Sequence, residues 1–408
     1  MLRNLLRSSN SVEKKTFILD CPRFIFQGLI DIEMKNYMLL VAIRVFQMSN
    51  DIKGILSAMP YIGMALSPIV LRLFTTKSIA LETNRVISLF LLIVAISMGV
   101  AAYSNQWIIF LTAILIAKFL YKQTLPFATD IYNQNYPKQR RGQIIGFLFT
   151  ILALSGAGFS HLFGKILDQS IDNYHWVVGI GAIAALACCF IYIHMPNGRI
   201  IPGTSRSLFR SNLAILFHDR LFTGILILWS LMSFAFQMTY PLRMEYLANP
   251  RYGPNYSNQD ISFLIVEIPT ITRILSTFFW GKIFDTKNFA IMKIMVNTAF
   301  LVSIPLFFFS SNFWNLALAS AILGIGYSGH LMAWQLWVTK IAPSPDQVGA
   351  YVSLDVAIMG FRDACAALFG YWLLSHSISL HTLSIIATGL VLASIVGFFF
   401  LSKNERLK

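Results

Sequence analysis

The sequence is short of charge. Lys, Arg, Asp and Glu make up 12% of its 408 residues, against about 25% in a soluble globular domain. It is short of cysteine as well. Cys21, Cys188, Cys189 and Cys365 lie in or beside apolar runs, with neither metal-ligand spacing nor a disulfide framework. No Walker-type phosphate loop occurs, which argues against an ATP-driven pump, and no paired motif of a membrane-embedded metalloenzyme is present. The beginning, Met1-Leu2-Arg3 through Lys14-Lys15, lacks the apolar core and cleavage site of a secretory signal. The expectation is a non-enzyme without metal or cofactor, whose first span directs its own insertion.

What is present is apolar, 56% of the chain. Runs such as Val86–Ala102, Val177–Ile193, Leu213–Phe236 and Thr382–Leu401 approach or exceed the about 20 residues that cross a hydrocarbon core. Without water to satisfy backbone groups, such runs are helices. Hydropathy places twelve spans, at 24–47, 52–74, 85–103, 107–131, 142–168, 176–195, 220–246, 260–284, 289–310, 313–340, 347–375 and 379–402.

The net charge of +14 does not form one basic patch, so no nucleic-acid partner is expected. The cations sit in alternate loops instead. One side collects Arg3, Arg7, Lys14, Lys15 and Arg23, then Arg72, Lys77 and Arg85, then Lys138, Arg140 and Arg141, then Arg199, Arg206, Arg210 and Arg220. It continues with Lys282, Lys287 and Lys293, with Lys340, and with Lys403, Arg406 and Lys408; the other side has only Lys53, Arg243 and Arg251. The positive-inside rule then puts both termini in the cytoplasm of a multi-pass protein of the plasma membrane, or of the inner membrane in a bacterium. Its partners are the lipid bilayer, a small-molecule substrate and possible protons, and the unit is expected to be a monomer.

The two halves repeat. Leu162-Phe163-Gly164 returns as Leu368-Phe369-Gly370, and Pro137 as Pro343 at the same offset. Gly142 matches Gly349, and Met59-Pro60 through Ser67 parallels Ile268-Pro269 through Ser276. This predicts an all-α membrane protein of twelve transmembrane helices in two pseudo-symmetric six-helix bundles, 1–195 and 220–408, joined by a cytoplasmic linker over 196–219. Such parallel repeats bind solute near the midplane between the halves.

On these residues the chain resembles the major facilitator superfamily over essentially its whole length. Gly281-Lys282-Ile283-Phe284-Asp285 is similar to the family's loop motif, a glycine followed four residues later by an aspartate. Thr286 and Asn288 stand where the motif has arginine and glycine, and the equivalent loop of the first half, from Leu71 to Lys77, lacks both the glycine and the aspartate. Arg141-Gly142 resembles the family's usual start of helix five. Span five holds Gly156, Gly158 and Gly164 but no proline, unlike the family's drug antiporters. The resemblance implies that spans one, four, seven and ten line a cavity and that three, six, nine and twelve lie outside it.

Charges within spans are costly and mark functional sites. Spans three, six, nine and twelve carry no ionisable residue in their cores. Span one carries Asp31, Glu33, Lys35 and Arg44. Gln27, Asp31 and Lys35 are one turn apart and form a stripe, either a cavity-facing site or a self-neutralising pair. Lys118 and Lys122 stand one turn apart on span four, and two like charges on one face call for an anion nearby. Span five has His161 and Lys165, and span eight has Glu267 and Arg273. Span eleven has Asp355, Arg362 and Asp363, and seven-residue spacing puts Asp355 and Arg362 on one side, two turns apart.

Span ten carries His330, Trp334 and Trp337, and span seven Trp229, Ser233, Gln237 and Tyr240. Each set is either core packing or a wall for a flat solute. The substrate-binding candidates are Lys118, Lys122, Arg362, Gln237 and Trp334. The proton-coupling candidates are Asp31, Glu33, Asp355 and Asp363, and Gly281 and Asp285 form the structural loop motif. The expected function is secondary active transport of a small polar, anionic or zwitterionic solute by alternating access, with protons as the coupling ion. The alternatives are an efflux antiporter of the same fold and a non-transporting sensor on a transporter scaffold.

Overall fold

The computed structural model describes residues 11–75, 82–196, 214–344 and 347–407. Residues 197–213 of the expected linker lie outside the described residues. So do the basic positions Arg3, Arg7, Lys77, Arg199, Arg206, Arg210 and Lys408.

Among the described residues the structure is helical. Helix α1 runs through Ser11–Ile32, a wide π-type turn at Glu33–Tyr37, and Met38–Arg44. It is followed by α2 (Asn50–Thr75), α3 (Thr83–Tyr103), α4 (Trp107–Asn135), α5 (Lys138–Gln169) and α6 (Tyr174–Ile193). The second half supplies α7 as Arg220–Thr239 and Leu242–Ala248, interrupted at Pro241, where the missing amide breaks the ladder. Helix α8 comprises Asn258–Ser262, a second wide turn at Phe263–Glu267, and Ile268–Thr286. Then come α9 (Phe289–Phe308), α10 (Phe313–Ile341), α11 (Val348–Ser375) and α12 (Leu380–Leu401). Ten of these are long and apolar enough to cross a membrane. The other two, α1 and α11, are as long but carry the charges that single them out in the sequence.

The chain forms two compact units, Met1–Val41 with Ile62–Ser205 and Ala42–Tyr61 with Arg206–Lys408. In the first, α3 packs on α4 and α6, and α1 packs on α5 and α6. Glycine sets the closest approach. A Cβ on Gly28 would strike the Leu152 carbonyl of α5, and one on Gly156 would meet the Gly28 carbonyl at 3.2 Å. In the second unit α10 packs on α8 and α9, and α12 packs on α7 and α9.

The structure corrects the first span, which begins at Ser11 rather than near residue 24. Arg23 is therefore a buried helix residue and not a loop cation. Its Nε donates to Asp20 Oδ1 at 2.7 Å and its Nη2 to the Tyr132 hydroxyl at 2.6 Å. The guanidinium lies 4.2 Å from the Phe24 ring centroid and 4.9 Å from that of Tyr192, and Asp20 also accepts from the Tyr136 hydroxyl at 2.6 Å. A helix can carry this pair in its first turns because every donor faces an acceptor or a ring. Lys293 is likewise no loop cation. It lies inside α9 and is fully buried, so span nine is not free of charge.

At the surface, Asp219 caps α7 by accepting from the Phe222 amide at 3.1 Å and receives both Nη groups of Arg406, at 3.1 and 2.9 Å. Partial burial works to raise its carboxyl pKa, but the Arg406 and Phe222 hydrogen bonds outweigh it and hold it below the usual aspartate value. A lowered value means that this latch contributes stability above the unfolded aspartate pKa, about 3.9, and loses it as pH falls through the folded one.

Breaking the Asp20–Arg23 pair from one side leaves a buried charge unanswered, which costs about 3–5 kcal/mol. Asp20→Leu is expected to lower the thermal unfolding midpoint of the purified protein sharply. Asp20→Leu combined with Arg23→Met should recover much of the loss, and equal midpoints for the single and double variants would contradict this pairing.

Candidate functional site

In the first unit the wide turn of α1 places its two acids differently. The extra residue in the turn rotates the later part of the helix by about 100° relative to a regular one. Asp31, before the turn, is partly exposed and faces Tyr121 of α4. Lys35, within the turn, is exposed. Glu33 points inward and is wholly buried, with no hydrogen-bond partner on either oxygen. Its carboxylate occupies the space a side chain at Gly181 of α6 would need, beside Met98 of α3. Gly181 is thus a glycine because Glu33 fills its Cβ position.

Lys118 of α4 is 3% exposed, and Lys122 is half-buried and close enough to interact with it electrostatically. The next residue, Gln123, donates to the Gly63 carbonyl of α2 at 2.8 Å, which fixes this face of α4. The first unit therefore holds four of the nine candidate binding and coupling residues, Asp31, Glu33, Lys118 and Lys122, on α1 and α4.

The second unit holds the other five. Arg362 Nε donates to Asp363 Oδ1 at 2.8 Å. Gln237 of α7 donates to the other oxygen of Asp363 at 3.4 Å and accepts from the Tyr61 hydroxyl at 2.9 Å. Asp355 accepts from the Trp337 indole at 3.2 Å, and Trp334 reaches the same carboxylate. Arg362 therefore pairs with its neighbour Asp363, and Asp355 is held by indoles.

The aromatic positions divide. Trp337 and Trp229 are core residues, with Trp337 stacked on Phe222 at 5.2 Å and 6° and Trp229 at 6.2 Å from Phe289. Trp334 and Gln237 stay partly exposed. Gly281 and Asp285 lie in the last turns of α8, not in a loop. The Lys340 ammonium of α10 donates to the Phe284 carbonyl at 2.5 Å and stands 4.1 Å from the Phe284 ring centroid, so a cation closes the carbonyl end of the helix.

Several groups are not evident from the sequence. Lys53 and Arg243, expected among the loop cations, are 3% exposed. Lys53 Nζ meets Glu245 Oε1 at 2.5 Å, and the Tyr371 hydroxyl donates to the same oxygen at 3.3 Å. Gly54 admits the Tyr371 side chain, whose Cβ would be 3.0 Å from an added methyl. Arg243 donates to Ser303 at 3.1 Å and lies 4.5 Å from the Phe307 ring centroid. Arg44, at the end of α1, donates to the carbonyls of Ala248 at 3.2 Å and Tyr256 at 2.5 Å and to the Asn258 side chain. The signal that could have found Glu245 is Tyr240-Pro241, which ends the first stretch of α7 and starts a second that carries the acid inward.

A family model for the Major Facilitator Superfamily matches residues 23–344. The chain belongs to the major facilitator superfamily. Among solved structures it resembles the nucleoside transporter NupG, with 16% identity and a TM-score of 0.73 over 97% of this chain and 100% of that one. A D-xylose-proton symporter aligns at 11% identity and a TM-score of 0.71, over 95% of this chain and 98% of that one. A peptide transporter POT aligns at 12% and 0.70, over 95% and 93%. At these identities the likeness is one of fold. Among curated protein sequences none matches significantly.

Glu245 and Lys53 form an ion pair with both side chains under 5% exposed, so loss of the acid leaves Lys53 buried against a ring. Glu245→Gln is expected to destabilise the protein by about 3–5 kcal/mol, read as a fall in the detergent thermal-shift midpoint. A variant as stable as the parent would show that Lys53 reaches water.

Proposed function

We propose that this superfamily member is a secondary transporter that carries a small anionic or zwitterionic solute by alternating access, with protons as the coupling ion. The observation that carries the substrate charge is the Lys118–Lys122 face of α4: two ammonium groups one turn apart, one of them 3% exposed. Two like charges on one face within a span make it attractive to an anion, such as a carboxylate or phosphate on the solute. Arg362, Gln237 and Trp334 are the substrate-binding candidates of the second unit. Asp31, Glu33, Asp355 and Asp363 are the proton-bearing groups, since each is a carboxylate within a span and can neutralise itself by protonation. The solved neighbours include a proton symporter and carriers of nucleosides and peptides, which fits a polar cargo and names none.

The loop charges support an orientation with both termini in the cytoplasm. Removing the buried Arg23, Lys53, Arg243 and Lys293 from the count strengthens the asymmetry, because the outer loops then retain Arg251 alone. Reporter fusions at Lys408 and within residues 196–219 are both expected to read cytoplasmic. An external signal at either site would reverse the topology.

For the solute, thermal-shift screening of purified protein against monocarboxylates, amino acids, phosphate esters, nucleosides and sugars selects a class, and uptake into proteoliposomes confirms transport. Lys118→Gln and Lys122→Gln are each expected to raise the KM of the selected solute at least tenfold, about 1.4 kcal/mol of lost binding, while still reaching the membrane. An unchanged KM in both would place the solute elsewhere, and stabilisation by uncharged sugars alone would overturn the anion reading.

A further inference from the structure

Among the described residues of the second unit, Lys293 is a fully buried ammonium that no hydrogen bond satisfies. It is 0% exposed, Nζ has no hydrogen-bond partner, and it stands 3.7 Å from the Trp229 ring centroid and 5.9 Å from that of Phe398. A ring face compensates part of the lost hydration of an ammonium, and a buried charge still requires an opposite one. The Trp229 ring that carries Lys293 stands 5.6 Å from that of Trp337, whose indole donates to Asp355 at 3.2 Å, and among the described residues Asp355 and Arg362 of α11 are the charges that act on Lys293. His330 of α10 is affected by Lys293 in turn. Its ring is 5.4 Å from that of Trp229, and its Nδ1 also lacks a partner. The rings on α7 and α12, Trp229 and Phe398, bring no charge. Arg243 touches α9 only at its far end, through Ser303 and Phe307, and Tyr351 is committed to Asp219.

The charges in this cluster can be assigned. Arg362 is matched by Asp363 at 2.8 Å. The remaining carboxylate, Asp355, is held by the Trp337 indole and is the one negative charge left to act on Lys293 within this cluster. Lys293, Arg362, Asp355 and Asp363 together are neutral. A proton placed on Asp355 turns the cluster into a single uncompensated cation.

We propose that Lys293 ties protonation of Asp355 to the binding of one carboxylate in the second unit. This coupling rests on the transport reading for its role in a cycle, and not for its chemistry. The proton comes from water onto an Asp355 oxygen, Lys293 loses its internal counter-ion, and the carboxylate of the solute replaces it. Release of the anion returns the proton to water. One monoanion and one proton enter together, so the loaded cluster is again neutral. The indole of Trp334, partly exposed beside Asp355, favours a flat, ring-bearing carboxylate, for which benzoate is the probe.

The test is calorimetric titration of the intact purified protein with benzoate, at about pH 6 and about pH 8 and in buffers of different ionisation enthalpy, which report the protons taken up. The parent protein is expected to bind more tightly at the lower pH and to take up one proton per benzoate. Asp355→Asn, a permanent copy of the protonated state, should bind with the same affinity at both pH values and take up none. Lys293→Met should lose affinity by roughly tenfold or more, and Lys293→Arg should restore the proton-linked binding, which a merely structural lysine would not require. Failure of the parent to bind benzoate at either pH overturns the proposal. So does a well-folded Lys293→Met that keeps the parent's affinity and proton uptake, or an Asp355→Asn variant whose binding still follows pH. Proton-linked benzoate binding without transport of any solute would leave this inference standing and remove the transport reading.

Discussion

Moving an ionised side chain out of water costs several kcal/mol even after the surroundings relax, and within hydrocarbon the chain has no solvent to repay it. This molecule nonetheless buries Arg23, Lys53, Lys118, Arg243, Glu245 and Lys293 at under 4% exposure. The local answers differ in kind. Arg23 is surrounded by an acid, an amide oxygen, a phenol and three rings. Lys53 has one close carboxylate. Lys293 has rings and no acceptor. Fully answered charges fix helices in place, whereas partly answered ones are left able to respond to a proton or an anion. That ordering separates the packing charges of this chain from those proposed to work.

Glycine has a corresponding role on the steric side. Where a side chain carries a necessary charge inward, the opposing helix yields its own Cβ. Gly181 yields to Glu33, and Gly54 to the Cβ of Tyr371, whose hydroxyl shares Glu245 with Lys53. Small residues in membrane helices are usually explained by close backbone approach, which the Gly28–Gly156 contact illustrates. At Gly181 the space is instead taken by a carboxylate. A substitution to alanine there would act through Glu33, not through helix spacing.

Much of the architecture is legible in the sequence because hydropathy depends on composition alone. Helices α3, α6, α9 and α12 begin within a few residues of their predicted starts. Family membership is legible too, from the repeat and from Gly281 and Asp285. Partnership is not. Lys53 and Arg243 look like loop cations because each lies near the edge of an apolar run, and only the packing of neighbouring helices shows that they are enclosed. Arg23 is misplaced by hydropathy for the related reason that α1 extends beyond its apolar stretch, its polar turns paired with α4 and α5. Helical spacing puts Arg362 on the side of Asp355, yet it takes the adjacent Asp363, since a long guanidinium can fold back on its own turn.

Helical spacing fails most plainly in α1. Its residues up to Val41 belong to one unit, and those from Ala42 onward to the other. Between the acid-bearing part and Arg44 lies the wide turn at Glu33–Tyr37. That extra residue acts as a phase shifter within the first unit: it turns the later part of the helix without a break in its hydrogen-bonding. Chain length in this segment therefore encodes direction. Deleting a single apolar residue here would shorten the rod by only about 1.5 Å, yet turn every side chain beyond it by about 100° around the axis.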